Sequence, residues 1–108
     1  MKDLKLKHGT LRIPVKFVPE SELQKAGASL LTEGQYLFGL YQGRYPTIMI
    51  NKEVGSQFST LMHEVGEYIV NEYGLKMEHV ELSVFTKVIS ELLQENWKVF
   101  QSCLKDRR

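Results

Sequence analysis

The sequence predicts an α+β domain: a small antiparallel or mixed sheet of about three strands, followed by two packed helices. Three observations carry this reading. Apolar side chains alternate with polar ones between residues 11 and 17, a hairpin pattern spans residues 36–51, and apolar residues recur at helical spacing from about residue 56 onward. The character of the chain changes once, near residue 53. No repeat, low-complexity stretch or linker divides the 108 residues, so they read as one domain, 1–108.

In chain order, Leu4 and Leu6 alternate with lysines and pair back through a turn at His8-Gly9. Leu11, Ile13, Val15 and Phe17 alternate with Arg12, Pro14 and Lys16, the pattern of a half-buried strand. Pro14 has no N–H to give a ladder, so this strand has an open edge there. Pro19 to Ala26 holds a short helix begun by Ser21 and ended by Gly27. Tyr36 to Tyr41 is apolar on both alternate sets, which predicts a strand covered on both faces. Gln42 to Pro46 is a turn, and Thr47 to Asn51 returns as the second arm of a hairpin.

The first long helix begins at Ser56, a good N-cap, and runs to about Tyr73, with Gly74 as its stop. Its apolar stripe is Phe58, Leu61, Met62, Val65, Tyr68 and Ile69. The second starts near Glu78 and continues towards Leu104 on a stripe of Leu82, Phe85, Val88, Ile89, Leu92, Leu93, Val99, Phe100 and Cys103. Cys103, on that stripe, reads as a buried inert thiol. Trp97 and Tyr73 read as aromatic core or rim residues, and His8 as a structural turn residue.

Composition narrows the function classes. The chain is 43% apolar and 25% charged, as a folded domain is, and carries a net charge of +1. Its one basic cluster is Lys105 to Arg108, so neither nucleic acid nor an anionic membrane has electrostatic support as a partner. A single cysteine excludes an intrachain disulfide framework and points to a reducing compartment. The N-terminus lacks the continuous apolar core of a signal peptide, and the longest apolar stretch falls far short of a membrane span. The expected location is cytoplasmic.

The chemistry concentrates in His63-Glu64-Val65-Gly66-Glu67, within the first long helix. Helical residues four apart share a face at about 6 Å, so the His63 and Glu67 side chains can converge on one ion. Both lie roughly 140° to 180° from the centre of the apolar stripe, by about 100° per residue, and do not fill the core that packs on the sheet. An ordinary solvated i,i+4 pair would look the same in sequence. Glu64, next to the first ligand, is placed to work on a water without binding the metal, which is the logic of His-Glu-x-x-His peptidases with Glu as the second ligand.

His79 opens the next helix just beyond Gly74. If the two helices pack antiparallel, its imidazole reaches the second half of the first helix and completes a set of His63, Glu67 and His79. Two imidazoles and one carboxylate, with a fourth position left to water, is a familiar composition for catalytic Zn²⁺, although other divalent transition metals suit it too. Glu78 and Glu81 compete for the third place, Glu81 more strongly; either could instead serve the positive helix N-terminus.

Thr60 to Ile69, the Tyr73-Gly74-Leu75 that follows, and the stretches Leu75 to His79 and Leu92 to Asn96 together resemble the short zincin-like metallopeptidases of bacteriophages and prophages. The strand Thr47 to Asn51 ahead of the helix fits as well, and the resemblance covers roughly residues 11–97. Many members carry His-Glu-x-x-His; this chain has Glu67 in the last position, as some members do, with a downstream His where His79 stands. The resemblance implies a minimal gluzincin-like fold, a zinc site and peptide-bond hydrolysis.

Three readings follow from the sequence. The first is a zinc metallopeptidase acting on a peptide or protein substrate, with Glu64 as general base. The second is a non-catalytic, metal-stabilised interaction module of phage or prophage origin, closed by a fourth ligand such as Glu81. The third is a metal-free binding protein whose long second helix pairs with another copy.

Overall fold

The computed structural model describes residues 4–27, 38–43 and 46–105. Strand β1 (Leu4–His8) turns at Gly9 and returns antiparallel as β2 (Leu11–Val18), with Leu4 opposite Val15 and His8 opposite Leu11. A short helix, α1 (Glu20–Ala26), follows, and β3 (Gly39–Gln42) and β4 (Thr47–Asn51) form the expected hairpin. β4 lies parallel to β2, from Val15 opposite Ile48 to Val18 opposite Asn51. The result is a mixed four-stranded sheet in the order β1-β2-β4-β3, followed by helices: an α+β layout with one strand more than the sequence predicts.

Register decides which side chains meet the helices. Leu11, Ile13, Val15 and Phe17 share one face of the sheet with Ile48, Ile50, Gly39 and Tyr41, because the paired positions fall in phase. Helix α2 (Gln57–Tyr73) lies on that face, and Ile13, Val15, Ile48, Ile50 and Tyr68 form the core, flanked by Leu61 and Val65. β2 is an inner strand. Its ladder to β4 starts at Val15, one residue after Pro14, so the proline's missing donor falls just outside the parallel pairing.

Several expectations are corrected. Among the described residues β3 is an edge strand that begins at Gly39, and Phe38 before it is half-exposed, so this segment is not covered on both faces. Tyr36 and Leu37 lie outside the described residues. α1 is capped at Pro19, whose carbonyl receives the Glu22 and Leu23 N–H groups; Ser21 sits inside the first turn. Ser56 and Gly74 do bound α2 as read: Ser56 Oγ accepts the Ser59 N–H, and Gly74 closes the helix in the left-handed region at φ 60°.

The predicted second long helix is two, α3 (His79–Glu95) and α4 (Trp97–Lys105), broken at Asn96. Asn96 leaves helical geometry at φ −128° and ψ 30°, and both its backbone and its side-chain N–H groups donate to the Leu92 carbonyl. Cys103, on α4, is exposed and not buried, because no part of α4 reaches the core. None of the helices described is long and apolar enough to cross a membrane.

The contact between α2 and α3 departs most from the pattern. α3 buries Leu82, Thr86 and Ser90, one turn apart, while Phe85, Val88 and Leu92 of the predicted stripe face outward. The cause is Gly66 on α2. A Cβ there would stand 2.7 Å from Leu82 Cδ1 and 2.8 Å from Thr86 Cγ2, so the helices meet at a point with no room for a side chain. Close approach selects small partners. The two buried hydroxyls cost little, because each donates to a carbonyl one turn back, Thr86 to Leu82 at 2.9 Å and Ser90 to Thr86 at 2.8 Å. Gly66→Ala is expected to destabilise the fold by about 1–2 kcal/mol, overpacking outweighing the gain in helix propensity. Thermal melts of that variant check the effect.

Candidate metal centre

α2 brings His63 and Glu67 one turn apart on the side facing the start of α3, and α3 supplies His79 from its first residue. His63 Nε2 lies 3.9 Å from Glu67 Oε1, and His79 Nδ1 lies 3.7 Å from the same oxygen. The two imidazole rings stand 5.2 Å apart, centroid to centroid, at 78°. One donor atom from each of the three residues falls within 4.8 Å of the others. Tetrahedral zinc with bonds of about 2.1 Å separates its ligand atoms by about 3.4 Å, so donor atoms within 4.8 Å of one another would have to close by about 1.4 Å at most to form the set. The donor chemistry fits a borderline-soft divalent ion: two nitrogens and one carboxylate oxygen.

Exposure grades across the group. The His63 side chain is 25% exposed, Glu67 38% and His79 74%, so the cluster opens to solvent on the α3 side. Burial lowers the pKa of His63 and outweighs the Glu67 carboxylate, which pulls it up; His79 adds to the lowering. The imidazole is therefore neutral at pH 7, the form that ligates a metal.

Glu78 and Glu81 do not join the group. Glu81 Oε1 accepts the Glu78 N–H at 2.9 Å, and the Glu78 side chain accepts the backbone N–H of Glu81. Both carboxylates are occupied in this reciprocal cap at the α3 N-terminus. His8, read as structural, pairs its Nδ1 with the Tyr68 hydroxyl at 2.7 Å beneath the sheet-facing side of α2.

Glu64 sits on the same helix but turns inward, 6% exposed, towards β3. Gly39 permits this. A Cβ at position 39 would stand 2.6 Å from Thr60 Cγ2 and 3.1 Å from both Cγ and Oε2 of Glu64, so only glycine lets the edge strand approach so closely. Burial, with the Glu67 charge adding to it, pushes the Glu64 carboxyl up from its ordinary 4.5 to about 8. In the metal-free chain Glu64 is thus an acid at neutral pH.

That shift has a consequence for stability. The native state binds this proton more tightly than the unfolded chain, so the group's contribution is fully present below pH 4.5 and fades as pH rises to about 8. At pH 7 the unfolded carboxyl has already ionised, and the native state forgoes roughly 3 kcal/mol. Metal-free Glu64→Gln is expected to melt higher than the wild type, by a margin that widens from pH 5 to pH 8. Paired melts of chelated proteins across that range measure the difference and cancel the opposite contribution of His63.

Sequence reasoning named the three converging residues and Glu64. It missed Gly39 and Gly66, which set how closely a strand and a helix approach the site. Gly66 left a signal, because glycine inside a helix costs about 1 kcal/mol relative to alanine and so calls for a packing reason. It missed as well the cleft beside the cluster, a space of about 420 Å³ that reaches from His63, Glu64 and His79 to Phe38 and Gly55.

Comparison of the chain with protein-family models, with curated proteins and with solved structures returned no match.

Proposed function

We propose that the protein is a zinc-dependent peptide hydrolase, the activity its resemblance to zincin-like metallopeptidases suggests. The observation that carries the reading is the convergence of His63, Glu67 and His79 on one point, beside a buried carboxyl and at the mouth of an open cleft. These three side chains would hold a zinc ion, which when bound would supply Lewis-acid polarisation of a scissile carbonyl and a water of lowered pKa, about 7.

The chain's own residues do the rest. His63 and Glu67 would hold the ion from one helix and His79 from the next, so the packing of α2 on α3 sets how far apart the three side chains stand. A divalent charge beside Glu64 would favour its ionised form against the burial, and the lesser Glu67 charge, that hold it protonated; the carboxylate would then be placed to accept a proton from an attacking water and return it to the leaving amine. Its burial against Gly39 and Thr60 keeps the carboxyl in one orientation. Among the described residues β3 pairs with β4 alone, and its other edge would offer backbone hydrogen bonds to an extended peptide. Tyr68 is no candidate to stabilise the oxyanion, because its hydroxyl is engaged by His8.

One observation favours a second reading, the non-catalytic metal-stabilised module. The ligands bridge α2 and α3, so any bound metal ties the two helices together and adds to folding free energy. Against it stands the engagement of Glu78 and Glu81, the two competitors for a further ligand place, in the helix cap. The test is cleavage of a random fluorogenic peptide library by tag-free protein in three states: zinc-loaded, chelated and reloaded. Hydrolysis that vanishes and returns with zinc supports the hydrolase. A folded, zinc-replete chain that cuts nothing leaves the module.

A further inference from the structure

Phe38 is a half-exposed aromatic residue that lines the same cleft as His63, Glu64 and His79. Its backbone is fixed, since the Phe38 carbonyl accepts the Asn51 N–H at 2.8 Å at the end of the β3–β4 ladder. The ring is fixed as well. A Cβ at Gly55 would stand 2.6 Å from Phe38 Cδ1 and 3.1 Å from Cε1, so the ring edge lies directly on the Gly55 backbone. Gly55 itself adopts φ +81°, where a side chain is disfavoured even without the ring. One flank of the aromatic ring is thus seated on glycine while the rest of it faces the cleft.

Besides Phe38 and the two histidines, the cleft is lined by neutral hydroxyls on Ser56, Ser59, Thr60 and Ser83. The ionisable groups on its described walls are His63, Glu64 and His79, all taken up by the metal and the base. A charged substrate side chain would therefore lose water here without gaining a partner, whereas an apolar one would be covered by the Phe38 ring. We infer that Phe38, seated on Gly55, forms a side-chain subsite that selects an uncharged, apolar residue of the substrate. This subsite rests on the hydrolase reading, because the cleft is defined by the same ligands.

Amino-acid hydroxamates separate the two. Their hydroxamate group seeks the zinc whatever side chain they carry, so affinity differences among them report the subsite. Calorimetric titration of the zinc-loaded full chain is expected to show leucine hydroxamate binding about tenfold more tightly than glycine hydroxamate. Aspartate and lysine hydroxamates should gain nothing over glycine. Phe38→Ala should erase the leucine advantage while leaving zinc stoichiometry and glycine hydroxamate affinity unchanged, and Phe38→Leu should restore most of it. Equal affinities for leucine and glycine hydroxamates in the wild type, with zinc bound, would overturn the subsite alone. A chain that takes up no zinc would overturn the hydrolase reading and the subsite together.

Discussion

Replacing Glu64 with Gln is expected to lower kcat/KM for peptide hydrolysis by about 10²–10⁴-fold while one zinc per chain is retained. The substitution keeps the size and burial of a side chain that is only 6% exposed, so the strand–helix contact at Gly39 survives. What it removes is the ability to accept a proton. Glu64 is not among the three converging donors, and the metal should stay. Steady-state kinetics paired with elemental analysis separate the two roles. Undiminished hydrolysis with zinc in place would exclude Glu64 as the base, and loss of zinc would make it a ligand instead.

The second large effect concerns the metal. His63→Ala leaves one carboxylate and one imidazole, and zinc affinity should fall by more than about a hundredfold, beyond the usual cost of disturbing a ligand's outer partner. The loss should appear in stability as well. At a free zinc concentration about 100 times the dissociation constant, binding stabilises the native state by about 2.7 kcal/mol. For a domain of this size that corresponds to about 10–20 °C in Tm. Chelation of the wild type should reproduce the drop, and chelation of His63→Ala should produce none. Differential scanning calorimetry with and without added zinc provides the comparison.

The chain made some of this structure legible and hid the rest for physical reasons. α2 could be bounded to the residue because its ends are written locally, in a Ser56 hydroxyl and a left-handed Gly74. The β3–β4 hairpin was likewise a local pattern. The parallel pairing of β2 with β4 was not, because two strands separated by α1 and β3 carry no sequence mark of their register. The outward face of α3 misled for a related reason. Apolar residues surround much of that helix, and the sequence alone does not say that Gly66 on another helix would take Leu82 and Thr86 against it. Asn96 breaks the long helical pattern through hydrogen bonds that a periodicity count does not register.

At the site, helical spacing was enough to pair His63 with Glu67, and the antiparallel return of α3 brings His79 within 3.7 Å of Glu67. Glu81 was a fair competitor by position, but its carboxylate is held by the Glu78 N–H. The depth of Glu64 was not legible. It follows from the line Thr60-Glu64-Tyr68 facing the sheet, which places a carboxyl where an apolar stripe would be expected.

An X-ray absorption spectrum at the zinc edge, taken on tag-free protein loaded with one equivalent, tests the central claim most directly. The account predicts four or five nitrogen and oxygen neighbours at about 2.0–2.1 Å, with outer-shell scattering from two imidazoles that falls to one in His79→Ala. A spectrum without imidazole scattering, or a wild-type chain that retains no zinc after gel filtration, would contradict it.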